Sequence, residues 1–286
     1  MFKQRLITAL ILAPLALAAV FYLPLLGFAL FVACAFLLAA WEWAAFCGMD
    51  TTAARASFTF GSALWFGLCY QALPANLHWP VQSNAFAEHS LLIGVAWWLV
   101  AVLLVLSFSR TRQWWQDNKL LKILMGWCTL VPAFAAILLV RAVNYEQSTF
   151  TGAWLIFALL GLVWAADIGG YVIGKPFGKR KLLPAVSPGK TLEGFAGGML
   201  FVMLLVTGIA ASLSWPDGFA WWYPAAVILT LLAVFGDLSE SMFKRVAGLK
   251  DSGSVFPGHG GILDRIDSLT ATAPLFAIFV ALFGGF

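Results

Sequence analysis

Charge is what this chain lacks. Only 10% of its 286 residues are charged, whereas 62% are hydrophobic. A water-facing surface of this size carries roughly 25% charged residues, so the exterior is expected to face lipid. Histidine is also scarce: His78, His89 and His259 are the only three. They show no carboxylate–histidine metal spacing, and no Ser/His/Asp arrangement can be assembled. The four cysteines, Cys34, Cys47, Cys69 and Cys128, lie in or beside apolar runs and form no Cys-x-x-Cys pair. Redox and thiolate-metal chemistry therefore has no support, and buried packing is expected. The net charge is +4, with no basic stripe on a soluble face, so a nucleic-acid partner is not expected. Internal repeats, low-complexity tracts and a soluble domain are missing too.

What is present is a series of long apolar runs. A spanning helix needs about 20 apolar residues. Residues 6–41 hold no charge, and Pro24 divides this stretch into Leu6–Tyr22 and Leu25–Phe46. Further runs are Ser57–Leu73, Leu91–Phe108, Ile123–Val140, Ala153–Ala166, Phe195–Leu213, Phe219–Gly236 and Leu269–Phe286. The expectation is an all-α polytopic integral membrane protein with about nine transmembrane helices. Lys3 and Arg5 are not followed by a clear cleavage site, so the first run reads as a retained span.

With the N-terminus placed in the cytoplasm, sixteen of the 17 Lys and Arg residues fall on the cytoplasmic side and only Arg141 falls outside. That is the bias expected of a membrane protein, and it puts the C-terminus outside. The chain divides into N-terminal helices, 1–150, and a C-terminal region, 151–286, with cytoplasmic loops at 167–194 and 237–268. Most of the polar chemistry lies in those two loops. The tryptophan pairs Trp97–Trp98 and Trp221–Trp222 read as interfacial belt residues.

The densest constellation follows the eighth run. If that helix continues, Asp237, Glu240, Ser241 and Lys244 share one face. A carboxylate at the end of an apolar span is costly without a partner. Lys244 and Arg245 could equally anchor a cytoplasmic helix end. Lys250 and Asp251 come next, then a glycine-rich stretch containing His259 and Gly260, then Asp264, Arg265 and Asp267. Glycines there let the backbone approach a ligand and aim N–H groups at it. Asp267 could simply cap a helix, and His259 could cap a turn or bind phosphate. Asp237 and Asp264 bracket a basic loop at one membrane depth. Two carboxylates beside several cations suit Mg²⁺ holding a polyphosphate.

The other loop carries Asp167, which is functional by default at the end of an apolar run, and the stretch Ser187 to Thr191. Gly189, Lys190 and Thr191 resemble the end of a P-loop. That spacing requires glycine at position 184, where this chain has Pro184, and no strand is expected before it. What remains is a basic, hydroxyl-bearing loop suited to phosphate. Glu42 is the one charge well inside an apolar run, where it could pair with a basic group or mark a water-filled pocket.

The runs SMFKR at 241–245, KDSG at 250–253 and PGHGGILDRID at 257–267 resemble the signature of the phosphatidate cytidylyltransferase (CDP-diacylglycerol synthase) family. So do Ala166, Asp167, Gly169 and Tyr171, the Phe177–Lys179 stretch, and Ser187, Pro188, Lys190 and Thr191. The resemblance covers roughly the last 120 residues. It implies CMP transfer from CTP to phosphatidate, giving CDP-diacylglycerol and pyrophosphate in phospholipid biosynthesis. It also implies Mg²⁺ held by Asp237 and Asp264, with room for a second cation. Lys244, Arg245, Lys250 and Asp251 complete the expected catalytic set. Ser187, Lys190, Thr191, Ser241, His259, Gly260, Arg265 and Asp167 are the expected substrate contacts. The expected setting is a bacterial-type inner membrane with the site facing the cytoplasm, and a homodimer is allowed. The alternative is a CTP-dependent polyprenol or phytol-type kinase. A CDP-alcohol phosphatidyltransferase would need a different aspartate pattern, and a transporter would need ionisable groups at mid-span.

Overall fold

The computed structural model describes residues 2–73, 85–212, 220–255 and 260–283, with the side chains of the first helix described from residue 10. The elements are α1 (Phe2–Tyr22), α2 (Leu25–Phe46), α3 (Thr52–Gln71), α4 (Ala85–Leu106), α5 (Phe108–Trp115), α6 (Lys119–Ala142) and α7 (Thr151–Phe177), then β1 (Lys181–Leu183) and β2 (Ser187–Thr191), then α8 (Leu192–Ser212), α9 (Trp222–Ala247) and α10 (Leu263–Phe283). Among the described helices, α2, α4, α6, α7, α8, α9 and α10 are long and apolar enough to cross a membrane. Hydrocarbon offers no partner for backbone N–H and C=O groups, so helices that satisfy their own are the natural spanning element. Leu30, Phe60, Leu103 and Leu204 stand exposed on the outer helix faces, which is the surface a lipid environment accepts. The chain is a multi-pass integral membrane protein.

The centre of the bundle is α6, buried on all sides from Thr129 to Ala142. It packs against α2, α3, α4, α7 and α10. Tryptophans are bonded into this core. Trp97 donates to the Thr129 hydroxyl at 2.9 Å and Trp98 to the Thr270 carbonyl at 3.0 Å. Both are buried, which corrects the belt expectation for this pair. A buried indole N–H needs an acceptor, and neighbouring helices supply it. Trp221 remains exposed, stacked on Phe283.

Two expected loop boundaries are also corrected. Helix α9 does not stop at Gly236 but runs to Ala247, and α7 continues through Asp167 to Phe177. The charges do not end α9 because Leu238, Met242 and Phe243 fall at helical spacing and are fully buried, Phe243 against Trp43 and Phe46. The turn comes at Gly248, in the left-handed conformation with φ +69°. What lies between α7 and α8 is largely an antiparallel hairpin, β1 with β2, so Ser187–Thr191 is a strand. Helices α7 and α8 pack closely: a Cβ at Gly169 would strike the Gly197 carbonyl, and one at Gly197 would strike Ile173. Small residues at a helix contact allow that approach in a membrane. The cysteines are all free, with Cys47 and Cys69 buried and Cys34 exposed.

Arg141 is no surface anchor. It is 1% exposed and donates to the carbonyls of Val20 at 3.0 Å, Leu23 at 3.2 Å and Thr149 at 2.9 Å. It also lies over the rings of Phe28 and Tyr145. The end of α1 leaves carbonyls without intrahelical donors, and Arg141 satisfies them at the Pro24 break. Arg141→Met should therefore lower stability by on the order of 2–4 kcal/mol, seen as a lower unfolding midpoint in detergent, with turnover per folded molecule retained. An unchanged midpoint would contradict this role.

Candidate active site

The polar chemistry gathers where α7, the hairpin, α8, α9 and the start of α10 meet. One face of α9 carries Asp237, Glu240, Ser241 and Lys244, as helical spacing requires. Ser241 donates to Asp237 Oδ1 at 3.2 Å. Lys244 reaches Glu240 Oε2 at 3.2 Å and crosses to Asp264 Oδ1 on α10 at 2.6 Å. Glu240 and Asp264 are nearly buried, at 4% and 5% side-chain exposure, so this ammonium is their main charge compensation. The other oxygen of Glu240, Oε1, is buried with no hydrogen-bond partner.

The second part is the hairpin. It delivers Lys190, whose Nζ lies 2.8 Å from Asp237 Oδ2. Three contacts hold the hairpin. Thr191 accepts from Gly194 N at 3.1 Å and so caps α8. Glu193 accepts from the backbone of Lys179 at 3.0 Å and Arg180 at 3.1 Å, and pairs with the Arg180 side chain. Arg245 donates to the Val186 carbonyl at 3.3 Å. In this structure Arg245 grips the hairpin turn.

Between these parts lies a cavity of about 480 Å³, lined by Asp167, Tyr171, Lys175, Lys190, Thr191 and Asp237, among others. Asp167, Asp237 and Asp267 sit within electrostatic range of one another and of Lys190. Helices α9 and α10 meet closely here: a Cβ at Gly236 would strike the Asp267 carbonyl, and Ser268 donates to the Ala233 carbonyl at 2.9 Å. The carboxylate neighbours of Asp237 are thus Asp167 and Asp267. Asp264 has its own partners. Its Oδ2 accepts from Ser252 N at 2.9 Å, Ser252 Oγ at 3.0 Å and Gly261 N at 2.8 Å.

The remaining expected residues divide clearly. Lys250, Asp251 and Arg265 are exposed and do not line the cavity. Gly260 takes φ +81°, and a Cβ there would collide with the Asp264 carboxylate. Ser187 begins β2. His259 lies outside the described residues. Two further residues enter the site: Asp267, whose position in sequence suits a helix cap, and Glu193, which holds the hairpin. For Glu193 a signal existed: it follows the hydroxyl residue Thr191 at a helix start, where carboxylates and N–H groups gather.

The polar groups on the cavity wall are carboxylates, hydroxyls and lysine ammoniums, set among apolar residues such as Leu182, Phe195 and Val234. Hard divalent cations take oxygen ligands, and phosphates are met by lysine, hydroxyls and backbone N–H groups. Among the described residues no group of three or more His, Cys, Asp or Glu forms a self-sufficient metal cage. The arrangement fits a cation shared between one or two carboxylates and a phosphate-bearing substrate.

The cytidylyltransferase family pattern matches residues 3–283. The phosphatidate cytidylyltransferase of Haemophilus influenzae is 37% identical over 286 residues, covering 98% of each chain. That of Pseudomonas aeruginosa is 39% identical over 278 residues, 97% of this chain and 96% of its own. The Bacillus subtilis protein of the same name is 36% identical over 159 residues, 56% of this chain and 59% of its own. The first two likenesses extend through the N-terminal helices as well as the polar site, and with the matched pattern they show that this chain belongs to the cytidylyltransferase family.

Proposed function

We propose that this protein transfers CMP from CTP to phosphatidate, giving CDP-diacylglycerol and pyrophosphate. The observation that carries the reading is the likeness over nearly the whole chain to two proteins named phosphatidate cytidylyltransferase. The site chemistry supports it. A phosphate monoester on a lipid is already an anion near neutral pH, so attack on the α-phosphorus needs no general base. One O–P bond forms, the α–β phosphoanhydride breaks, and pyrophosphate leaves with its charge. The protein's part is positioning and charge compensation.

Lys190, on the cavity wall, is placed to meet the triphosphate and the leaving pyrophosphate, and Lys244 is the next ammonium along the same α9 face as Asp237. Lys175 and Thr191 line the same cavity. Tyr171 and Phe177, both more than half exposed on α7, offer an apolar wall for acyl chains. Asp237 and Asp264 are the residues we assign to Mg²⁺; Asp167 lines the cavity with Asp237 as a further oxygen donor, and a second cation is allowed. When bound, the metal supplies charge stabilisation for the phosphates. Each of the two assigned carboxylates now bears a lysine ammonium, so each lysine must pair with phosphate for its carboxylate to serve the metal.

Nine membrane crossings, a cytoplasmic N-terminus and an external C-terminus are part of the same proposal, as are a bacterial inner membrane, a site on the cytoplasmic side and a homodimer. The basic bias supports the orientation, since Lys175, Lys190, Lys244, Lys250 and Arg265 all fall at the site end of their helices or loops. A phosphatidate headgroup at the cytoplasmic interface would reach that end directly. The CTP-dependent lipid kinase reading differs in product. Purified protein given CTP, phosphatidate and Mg²⁺ should release pyrophosphate and form a CDP-lipid; release of CDP instead would favour the kinase.

Two outcomes test the residue assignments. Asp237→Asn and Asp264→Asn should each lower turnover by about 100-fold or more at matched folded protein, with the Mg²⁺ optimum of any residual activity shifted upward. Near-normal rates with an unshifted optimum in both would move the metal elsewhere. Arg245→Ala should be milder than Lys190→Ala, because Arg245 holds the hairpin through a carbonyl whereas Lys190 faces the cavity. Rates at saturating and limiting CTP check this, and an Arg245→Ala defect as large as that of Lys190→Ala would place Arg245 on the substrate. For topology, a cysteine replacing Lys250 should resist an impermeant thiol reagent added outside, while one at residue 286 should react.

A further inference from the structure

Glu42 lies on α2, far in sequence from the loop that carries Asp264, and is only 3% exposed. Its carboxylate accepts three hydrogen bonds, all from that loop. Ser252 Oγ donates to Oε2 at 2.9 Å, Leu263 N to Oε2 at 2.9 Å, and Ile262 N to Oε1 at 3.0 Å. The two backbone donors belong to the start of α10, where N–H groups lack intrahelical acceptors. A carboxylate is favoured there by the helix dipole. The cap of α10 is thus supplied by another helix. Two glycines of the loop make room for it: a Cβ at Gly253 or at Gly261 would run into the Glu42 carboxylate.

Ser252 links this cap to the site. Its Oγ lies 2.9 Å from Glu42 Oε2 and 3.0 Å from Asp264 Oδ2. A serine hydroxyl has one proton to donate, so only one of the two carboxylates can receive it at a time. Asp264 is held in addition by Ser252 N, Gly261 N and Lys244. Glu42 therefore fixes the backbone path that aims Gly261 N and Ser252 N at Asp264, and it competes for the hydroxyl proton beside it.

We propose that Glu42 is a positioning residue of the cytidylyl-transfer site, acting through Ser252 and the α10 N-terminus to orient Asp264. The proposal rests on the placement of Asp264 in that site. It makes the N-terminal helices part of the catalytic unit, because α2 reaches into the loop from outside the motif-bearing region.

The test uses the full chain in detergent or nanodiscs, with Glu42→Gln, Ser252→Ala and the double variant compared at matched folded protein. Glu42→Gln keeps the size but sets an amide N–H₂ against donors. It should lower kcat by about tenfold or more while KM for CTP changes by less than about threefold. Amide exchange at Ile262 and Leu263 should quicken. The double variant should lose no more than the worse single variant, because both act on one linkage. If Glu42→Gln is not recovered folded, Glu42→Asp, with the same charge and shorter reach, should show the same kcat defect. Normal kcat in the folded variant overturns the proposal, as does a lowered unfolding midpoint with kcat unchanged, or losses that multiply in the double variant. Asp264→Asn is measured alongside. Its full activity would instead remove Asp264 from the site, a result distinct from any behaviour of Glu42.

Discussion

Lys244 is the residue on which the site depends. It joins two nearly buried carboxylates, Glu240 on its own helix and Asp264 on α10. Burying charge is expensive, and removing one partner of such a pair typically costs about 3–5 kcal/mol because the other charge is left uncompensated. The bridge therefore ties α9 to α10 beside the candidate site. Around it the other parts are arranged in sequence. Asp264 holds Ser252 and Gly261, those residues shape the loop, and the loop is capped by Glu42. Further along the same face of α9, Asp237 receives Lys190 from the hairpin.

The membrane setting explains why polar contacts carry so much of the specificity. Between helices in lipid there is little hydrophobic driving force, so close packing and hydrogen bonds decide which helices meet. Helices α7 and α8 meet through glycines, α4 is bonded to α6 and α10 through Trp97 and Trp98, and α1 is joined to α6 through Arg141. The same scaffold leaves the cavity beside α7 with Asp167, Lys190 and Asp237 on its wall. A reaction that needs positioning more than proton transfer suits such a wall.

Much of the fold was legible because each spanning helix must satisfy its own backbone, so apolar runs and helices coincide. The helix ends were less legible. Charged residues after Gly236 looked like a loop, yet Leu238, Met242 and Phe243 bury at helical spacing and carry α9 onward. The residues of the candidate site were visible as motifs, but their pairings were not. Asp237 and Asp264 look equivalent in sequence, and the structure gives them different lysines. Arg245 reads as a phosphate ligand until the hairpin turn is seen beneath it. Glu42 stood out as a lone charge in an apolar run, but its partners lie over 200 positions away, beyond any local pattern. Spacing along one helix is readable from sequence, whereas contacts between helices require the fold.

The buried Lys244 bridge joins stability to the candidate site. The direct measurement is the unfolding midpoint and turnover of Lys244→Met, Asp264→Asn and the double variant. Lys244→Met strands two carboxylates, and the double variant relieves one of them. The double variant should be more stable than Lys244→Met alone, while none of the three should turn over CTP at more than a small fraction of the normal rate. Stability losses that simply add, or a Lys244→Met protein with normal stability and turnover, would contradict this role of the bridge.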